Sequence, residues 1–249
     1  MFELFADGNT LPEAYHKALE ALHYCGENVP CPDYNTTQKE ISMTINVLEP
    51  LQEPMISRLF IGGYHELEQY RQEMLDGILD FEIAKGNWAY TYHDRIGYQY
   101  NFVIDELKRN PYSRRAVIDV RRLADMRHDD PACLQHIQYF IRDNKLHCKV
   151  LFRSNDACKA TFMNAFALIM LQKKIADELG IEVGSYTHRA NSFHCYEKDF
   201  ALLDGYVERI NSDENLTYNY VGEWDELMEE AKADIAEKVE RLKNNEKNI

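Results

Sequence analysis

Two apolar segments of strand character, Ile137 to Arg142 and Leu146 to Phe152, lie almost end to end in the sequence. In the first, Ile137, Tyr139 and Ile141 alternate with Gln138, Phe140 and Arg142, and only Phe140 breaks the polar face. The second is a short run rich in large apolar residues. The turn Arg142-Asp143-Asn144-Lys145 joins them as an expected hairpin, because Asp and Asn tolerate the backbone that a tight turn needs. A hairpin brings the start of its first strand beside the end of its second. Cys133 stands just before the first strand and Arg153-Ser154-Asn155-Asp156 just after the second, so a thiol and an arginine-serine pair are expected together.

Other elements are legible from period and punctuation. Thr10-Leu11-Pro12-Glu13 starts a helix, with Thr10 as N-cap, Pro12 in the first turn and Glu13 completing a capping box. Ala14, Ala18, Leu19 and Leu22 form its buried stripe, ending near Gly26. Pro30 to Asn35 reads as a loop, and Ile41, Met43, Ile45 and Val47 alternate with polar residues as a strand with one buried face. Past a proline-punctuated linker from Glu49 to Pro54, Leu67, Tyr70, Met74 and Ile78 mark a second helix, with Glu66 near its first turn. Gly86 to Arg95 is aromatic and turn-prone. Phe102 to Leu107 suggests a helix stopping at Asn110-Pro111, and Ala116 to Val120 a strand. Ala165 to Leu179 reads as a long apolar helix closed by Gly180, followed by a strand region from Glu182 to Tyr196. From Glu223 an acidic helix carries Leu227, Ala231, Ile235, Val239 and Leu242 on a weak apolar stripe, able to dock on the domain or mediate association.

No internal repeat appears, and 249 residues suit one domain with a substantial core. The expected division is a catalytic domain over residues 1–222 and an acidic helical extension over 223–249. A net charge of −14 argues against a general nucleic-acid surface, so an anionic ligand needs a local arginine cluster. The six cysteines show neither a CxxC pair nor zinc spacing, and free thiols with no metal are expected. No apolar run is long enough to span a bilayer, and the N-terminus lacks the features of a signal peptide, which makes the cytoplasm the default location.

The motifs in order are more specific than any one of them. Pro131-Ala132-Cys133, Gln138, the hairpin, Arg153-Ser154-Asn155-Asp156 and then Asn164 together resemble the thymidylate synthase family, which includes the pyrimidine nucleotide hydroxymethylases. The resemblance runs from about Glu66 to Asp199. It implies an α+β fold of that type: a single domain of mixed β-sheets flanked by helices, assembled sheet to sheet as a homodimer. It implies Cys133 as nucleophile, with Glu66, Tyr90, Asp156 and Asn164 as its catalytic companions. Arg153, Ser154, Gln138, Asn164, His194 and Tyr196 would bind the nucleotide, and Arg114 and Arg115 would reach the phosphate in the partner's site. The co-substrate implied is 5,10-methylenetetrahydrofolate. Alone, several of these residues read otherwise: Glu66 suits a helix cap, Tyr90 a packed aromatic cluster, and the arginine pair solvated charge.

The implied chemistry is covalent. A thiolate adding at C6 of a pyrimidine turns C5 into a nucleophile that can attack a one-carbon donor. Arg153 would favour the thiolate. Asn164 offers a donor and an acceptor matching the O4 and N3–H edge of uracil, where the cytosine-specific hydroxymethylases tend to carry Asp, so dUMP is favoured over dCMP. The sequence also departs from the family pattern. Leu134 replaces a His, Ser192 an Asp, and Ala160 and Phe162 the usual Gly and Pro; no arginine precedes Arg58, and the apolar C-terminal tail expected over the folate has no match. Three readings stay open: a synthase making dTMP, a hydroxymethylase that quenches with water, and a non-catalytic nucleotide-binding protein on the same fold.

Overall fold

In the computed structural model, residues 2–212 and 215–244 are described. In chain order the elements are β1 (Glu3–Gly8), α1 (Leu11–Cys25), β2 (Glu27–Cys31), β3 (Thr36–Val47), β4 (Ile56–Ser57) and α2 (Tyr64–Leu75). Three further helices follow, α3 (Phe81–Ala84), α4 (Tyr92–Ile96) and α5 (Gln99–Arg109), then β5 (Val117–Asp119), β6 (Leu134–Arg142), β7 (Lys145–Phe152) and β8 (Asn155–Asp156). The last are α6 (Thr161–Leu179), β9 (Glu182–Tyr196), α7 (Phe200–Asn211), β10 (Thr217–Tyr218) and α8 (Asp225–Lys243).

The hairpin expected from the sequence forms the middle of the sheet. β6 and β7 pair antiparallel with Arg142 opposite Lys145, and Asp143 and Asn144 take left-handed φ values of 50° and 60°. Two consecutive positive φ values define the two-residue turn that matches strand twist. Apart from β4 and β10, which pair with each other, the described strands form a mixed sheet in the order β1-β3-β9-β7-β6-β5, with β2 added on β3 and β8 on β9. β1 pairs parallel with β3, and β7 parallel with β9, which requires the α6 crossover. A register shift in the β6–β7 ladder leaves Gln135 without a partner, two residues after Cys133.

One face of the sheet is covered by helices and carries the main core, including Ile137, Tyr139, Cys148, Val150, Phe152 and the buried side of α6. The other face of β6 and β7 bears His136, Gln138, Phe140, His147, Lys149 and Leu151, half-buried or exposed. α1 starts as expected: the Thr10 hydroxyl accepts from the Glu13 amide. The Glu13 carboxylate reaches back one residue further, to the Asn9 amide. Such a cap is worth about 1 kcal/mol.

The structure departs from the sequence expectations at three places. Residues 27–31, of which Pro30 and Cys31 were expected as loop, form an edge strand, and Pro30 is tolerated there because an edge strand does not need every N–H. β3 is buried on both faces, since Ser42 and Thr44 lie under the β1 carboxylate Glu3, to which both hydroxyls donate at 2.6 Å. In α8 the buried stripe is Met228, Ala231, Ile235 and Val239; Leu227 is off phase and exposed. Ala231, Ile235 and Val239 pack with Leu79, flanked by Ile78, Phe81 and Leu242, so α8 docks on the α2–α3 region of the same chain. Among the described residues no helix is long and apolar enough to cross a membrane.

Candidate active site

Cys133 ends the segment that leads into β6, and the end of β7 clamps it there. The Arg153 amide donates to the Cys133 carbonyl at 2.8 Å, and the Arg153 guanidinium donates to the carbonyls of Pro131 (2.6 Å) and Ala132 (3.2 Å). The side chain of the bulged Gln135 donates to the same Ala132 carbonyl at 2.6 Å, and the Leu134 amide to the Tyr92 hydroxyl. The thiol is therefore presented by a segment whose carbonyls are held on both sides.

It opens into a cavity of about 620 Å³. The sequence-predicted residues brought together here are Cys133, Arg153, Ser154, Asp156, Asn164, His194 and Tyr196. Each has a local cause. Asp156 caps the turn into α6, its Oδ1 accepting from the amides of Cys158 and Lys159. Asn164 lies one turn into α6. His194 and Tyr196 share a face of β9, two residues apart, with rings edge to face at 4.8 Å. His194 Nδ1 is 3.2 Å from the Ser192 carbonyl, which only accepts, so Nδ1 carries the proton. Its Nε2 is buried without a partner among the described residues and keeps a lone pair for a ligand hydroxyl.

Other predicted residues lie elsewhere. Glu66 lines neither this cavity nor the adjoining one; it is exposed, and its carboxylate accepts from the Gly63 amide at 2.8 Å as the cap of α2. Hydrogen bonds from its own amide and from Gly63 hold it below the usual carboxylate range, the opposite of what a proton donor needs. Gln138 is on the open face of β6, donating to the Arg114 carbonyl at 3.0 Å. Arg114 and Arg115 are exposed and line neither cavity. Tyr90 lines the adjoining cleft rather than the thiol's cavity, its hydroxyl pushed up to about 12 by burial.

That cleft, about 550 Å³, shares Tyr70, Tyr92, His128, Asp129 and Asp130 with the first. Trp88, Met74 and Leu79 give it apolar walls, and Glu73 and Asn87 polar ones. Burial raises the Glu73 carboxyl despite a hydrogen bond from Gln69. The sequence reading missed Tyr70, Tyr92, Asn155 and Tyr34 as site residues. Tyr70 looked like part of a core stripe, Tyr92 stands two residues past the expected tyrosine, and Asn155 was the unassigned position of Arg-Ser-x-Asp. Tyr34 lies in the segment read as a plain loop, and only its edge-to-face contact with Tyr196, at 5.3 Å, brings it to the rim.

The electrostatics set burial against the expected effect of Arg153 on the thiol. Burial pushes the Cys133 thiol above its ordinary range; Arg153 draws it back and Asp130 opposes Arg153. Burial prevails, so the free protein holds a protonated thiol at neutral pH. Alkylation of Cys133 by iodoacetamide, followed by peptide mass spectrometry, is therefore expected to be slow at neutral pH and to rise only on the alkaline side of a free thiol's pKa of about 8.5. Arg153→Gln should move the profile to still higher pH. A profile with its midpoint below that of a free thiol would contradict this balance.

Among the described residues, Arg153 is the one Lys or Arg lining the thiol's cavity, against Asp33, Asp129, Asp130 and Asp156. A polyanion is poorly matched by one chain alone.

The thymidylate synthase family model matches residues 69–240, beginning beyond Glu66 and running into α8. A protein of Methanocaldococcus jannaschii, named provisionally as a thymidylate synthase, is 31% identical over 208 residues, 79% of this chain and 93% of that protein. The thymidylate synthase of Bacillus phage phi3T is 30% identical over 154 residues, 59% of this chain and 53% of its own length. The solved structure of thermostable thymidylate synthase A from Bacillus subtilis matches with a TM-score of 0.66 at 17% identity, covering 80% of this chain and 84% of that one, a likeness of fold.

Proposed function

The chain belongs to the thymidylate synthase family, and from that premise we propose that it transfers a one-carbon unit from 5,10-methylenetetrahydrofolate to C5 of dUMP, giving dTMP, with Cys133 as covalent nucleophile. The observation that carries the proposal is the convergence of Cys133, Arg153, Asn164 and His194 on one cavity that adjoins an aromatic cleft.

The roles follow from the geometry. Cys133 Sγ, once deprotonated, forms a bond to C6 of the base, and the electron pair moves onto C5 and O4. Arg153 both supports the thiolate and faces the anionic end of the nucleotide. Asn164 meets the base edge, and the free lone pair of His194 accepts from a sugar hydroxyl, with Tyr196 beside it. The cleft of Trp88, Tyr90 and Tyr92 fits a flat aromatic ring, and Glu73 and Asn87 supply hydrogen bonds at its polar edge. The folate supplies the one-carbon unit and, for a methyl product, the hydride. Tyr70 lines both cavities and Glu73 the adjoining cleft, whereas Glu66 lines neither, and in this reading Tyr70 and Glu73 carry the proton traffic.

The second reading, a pyrimidine nucleotide hydroxymethylase, uses the same cavity and cleft and differs in the last step, where water rather than hydride completes the product. Incubation with methylenetetrahydrofolate and dUMP or dCMP, read by mass spectrometry, separates the two. dTMP is the expected product; a 5-hydroxymethyl product would assign the second reading, and no product from either nucleotide would sink both.

The deficit of cations in one chain's cavity supports a homodimer in which the open sheet faces meet and Arg114 and Arg115 complete the partner's phosphate site. Mixing an Arg114→Ala/Arg115→Ala chain with a Cys133→Ala chain is expected to restore up to about a quarter of wild-type activity, because half of randomly paired dimers would hold one whole site. Failure to complement, with subunit exchange demonstrated separately, would contradict the arrangement.

A further inference from the structure

Behind Asn164 runs a buried chain of side-chain hydrogen bonds that the proposed reaction does not use. The Tyr186 hydroxyl is 2.9 Å from His188 Nδ1, and His188 Nε2 is 2.8 Å from Asn155 Oδ1. Asn155 Nδ2 donates to Asn164 Oδ1 at 2.9 Å, and Asn164 Nδ2 to the Tyr70 hydroxyl. Tyr186 and His188 are fully buried, and Asn155 and Asn164 nearly so. The imidazole is stacked on Phe152, with centroids 4.6 Å apart and planes 17° from parallel, which opposes rotation of the ring.

Such a chain has two possible directions, and the difference matters at Asn164. In one, Tyr186 donates to His188, His188 to Asn155, Asn155 to Asn164, and Asn164 to Tyr70. The reverse requires both amides to flip and the imidazole proton to move to Nδ1, which then donates to the Tyr186 oxygen. The Tyr186 hydroxyl hydrogen would then be buried, with no acceptor among the described residues. In the first direction the buried Tyr186 hydroxyl, the His188 N–H and one N–H of each amide all have acceptors along the chain, and the Tyr70 proton is left facing the cavity. Thr161, whose hydroxyl is 2.8 Å from Asn155 Oδ1, fits either direction, since that hydroxyl is also 2.9 Å from the Asp156 carbonyl. Burial keeps His188 neutral, with its pKa lowered to about 3, so protonation does not blur the choice near neutral pH.

We infer that Tyr186, His188 and Asn155 are positioning residues that lock the Asn164 amide in one orientation, so that the cavity presents a single hydrogen-bonding edge to a pyrimidine base. The locking rests on the geometry alone; the reading of a base rests on the function proposed above. The uracil edge (O4 acceptor, N3–H donor) and the cytosine edge (N4–H donor, N3 acceptor) require opposite amide orientations. An amide free to flip would serve both, whereas a locked one discriminates about tenfold to hundredfold, because the wrong base leaves buried groups unpaired.

Three measurements test this. In the wild-type protein, nitrogen NMR of His188 should show the proton on Nε2; a proton on Nδ1 would overturn the assigned direction. The affinity of dUMP relative to dCMP, by calorimetry, should differ by about tenfold or more in the wild type. It should fall to within about threefold in Asn155→Ala, where no buried donor fixes the Asn164 amide and the Tyr70 hydroxyl can either accept or donate. Asn155→Asp, which can only accept, should draw the Asn164 NH₂ towards itself and invert the preference. An unchanged preference in folded Asn155→Ala and Asn155→Asp proteins would overturn the inference. Should Asn155→Asp fail to fold, Asn155→Ala and the imidazole proton still decide. If neither nucleotide binds while His188 carries its proton on Nε2, the functional reading falls and the locked amide stands.

Discussion

Cys133→Ser is expected to remove turnover by roughly 10⁴-fold or more while leaving the fold intact, because a hydroxyl at this position is a far weaker nucleophile and nothing nearby activates it. The thiol is partly buried, its backbone is held by Arg153, and the change is nearly isosteric. Thermal stability should therefore move little. The specific check is covalent: 5-fluoro-dUMP with the folate should form a stable adduct at Cys133 in the wild type and none in the variant. Three other cysteines, Cys148, Cys158 and Cys195, are buried; burial raises the Cys148 thiol strongly, and the contact with Cys195, added to by burial, raises that of Cys158. An adduct on any of these, or retention of more than about 1% of activity in Cys133→Ser, would remove the nucleophile assignment.

The second large effect is on stability. Arg95 and Asp125 form a buried bidentate pair, Nη2 to Oδ1 at 2.6 Å and Nη1 to Oδ2 at 3.2 Å, with 4% and 0% of their side chains exposed. Asp125 also accepts from the Arg122 amide at 2.9 Å, and Arg95 donates to the Val120 carbonyl and lies 5.1 Å from the Tyr90 ring. The pair thus ties the turn at residues 123–127 to α4, and that turn leads directly into His128-Asp129-Asp130, the wall shared by both cavities. Asp125→Ala leaves a buried guanidinium without its partner and is expected to cost about 3–5 kcal/mol in urea unfolding. Replacing both residues with apolar ones of similar size should recover much of that loss. Burial would raise the Asp125 carboxyl, but the hydrogen bonds from Arg95 and Arg122 hold it below its usual value. A depressed carboxylate stabilises the fold above its unfolded pKa of about 3.9 and loses that contribution as pH falls through the folded value. The wild type should therefore lose more stability than Asp125→Ala on acidification below about pH 4. A destabilisation under about 1 kcal/mol at pH 7 would show that solvent reaches the pair.

Much of the architecture was legible in the residues because period and punctuation act locally. The β6–β7 hairpin, the capped start of α1, the close of α6 at Gly180 and the strand ending in His194 and Tyr196 each follow from a few neighbouring side chains. The same locality explains why Cys133 and Arg153-Ser154 were expected side by side: a hairpin specifies that meeting by itself. The resemblance to the thymidylate synthase family, resting on ordered short motifs, is likewise a property of the linear sequence, and the family match bears it out.

What only the tertiary structure decided is which residues of α2 and of the aromatic segment face the thiol. A helix stripe says that Glu66 and Tyr70 lie about one turn apart, but not which of them meets a cavity formed by β6, β7 and α6. Packing of α2 against α6 turns Tyr70 inward and leaves Glu66 to cap the exposed end. The same holds for Tyr92 against Tyr90, where the Thr91 cap of α4 sets the phase of the helix. Asn155 and His188 are 33 residues apart, and their hydrogen bond exists only because β8 pairs with β9 beside the start of α6. Local sequence determines which elements form and which faces are apolar. The orientation of polar groups at their junction is decided by which buried donors and acceptors must be satisfied at once, and that is a property of the assembled fold.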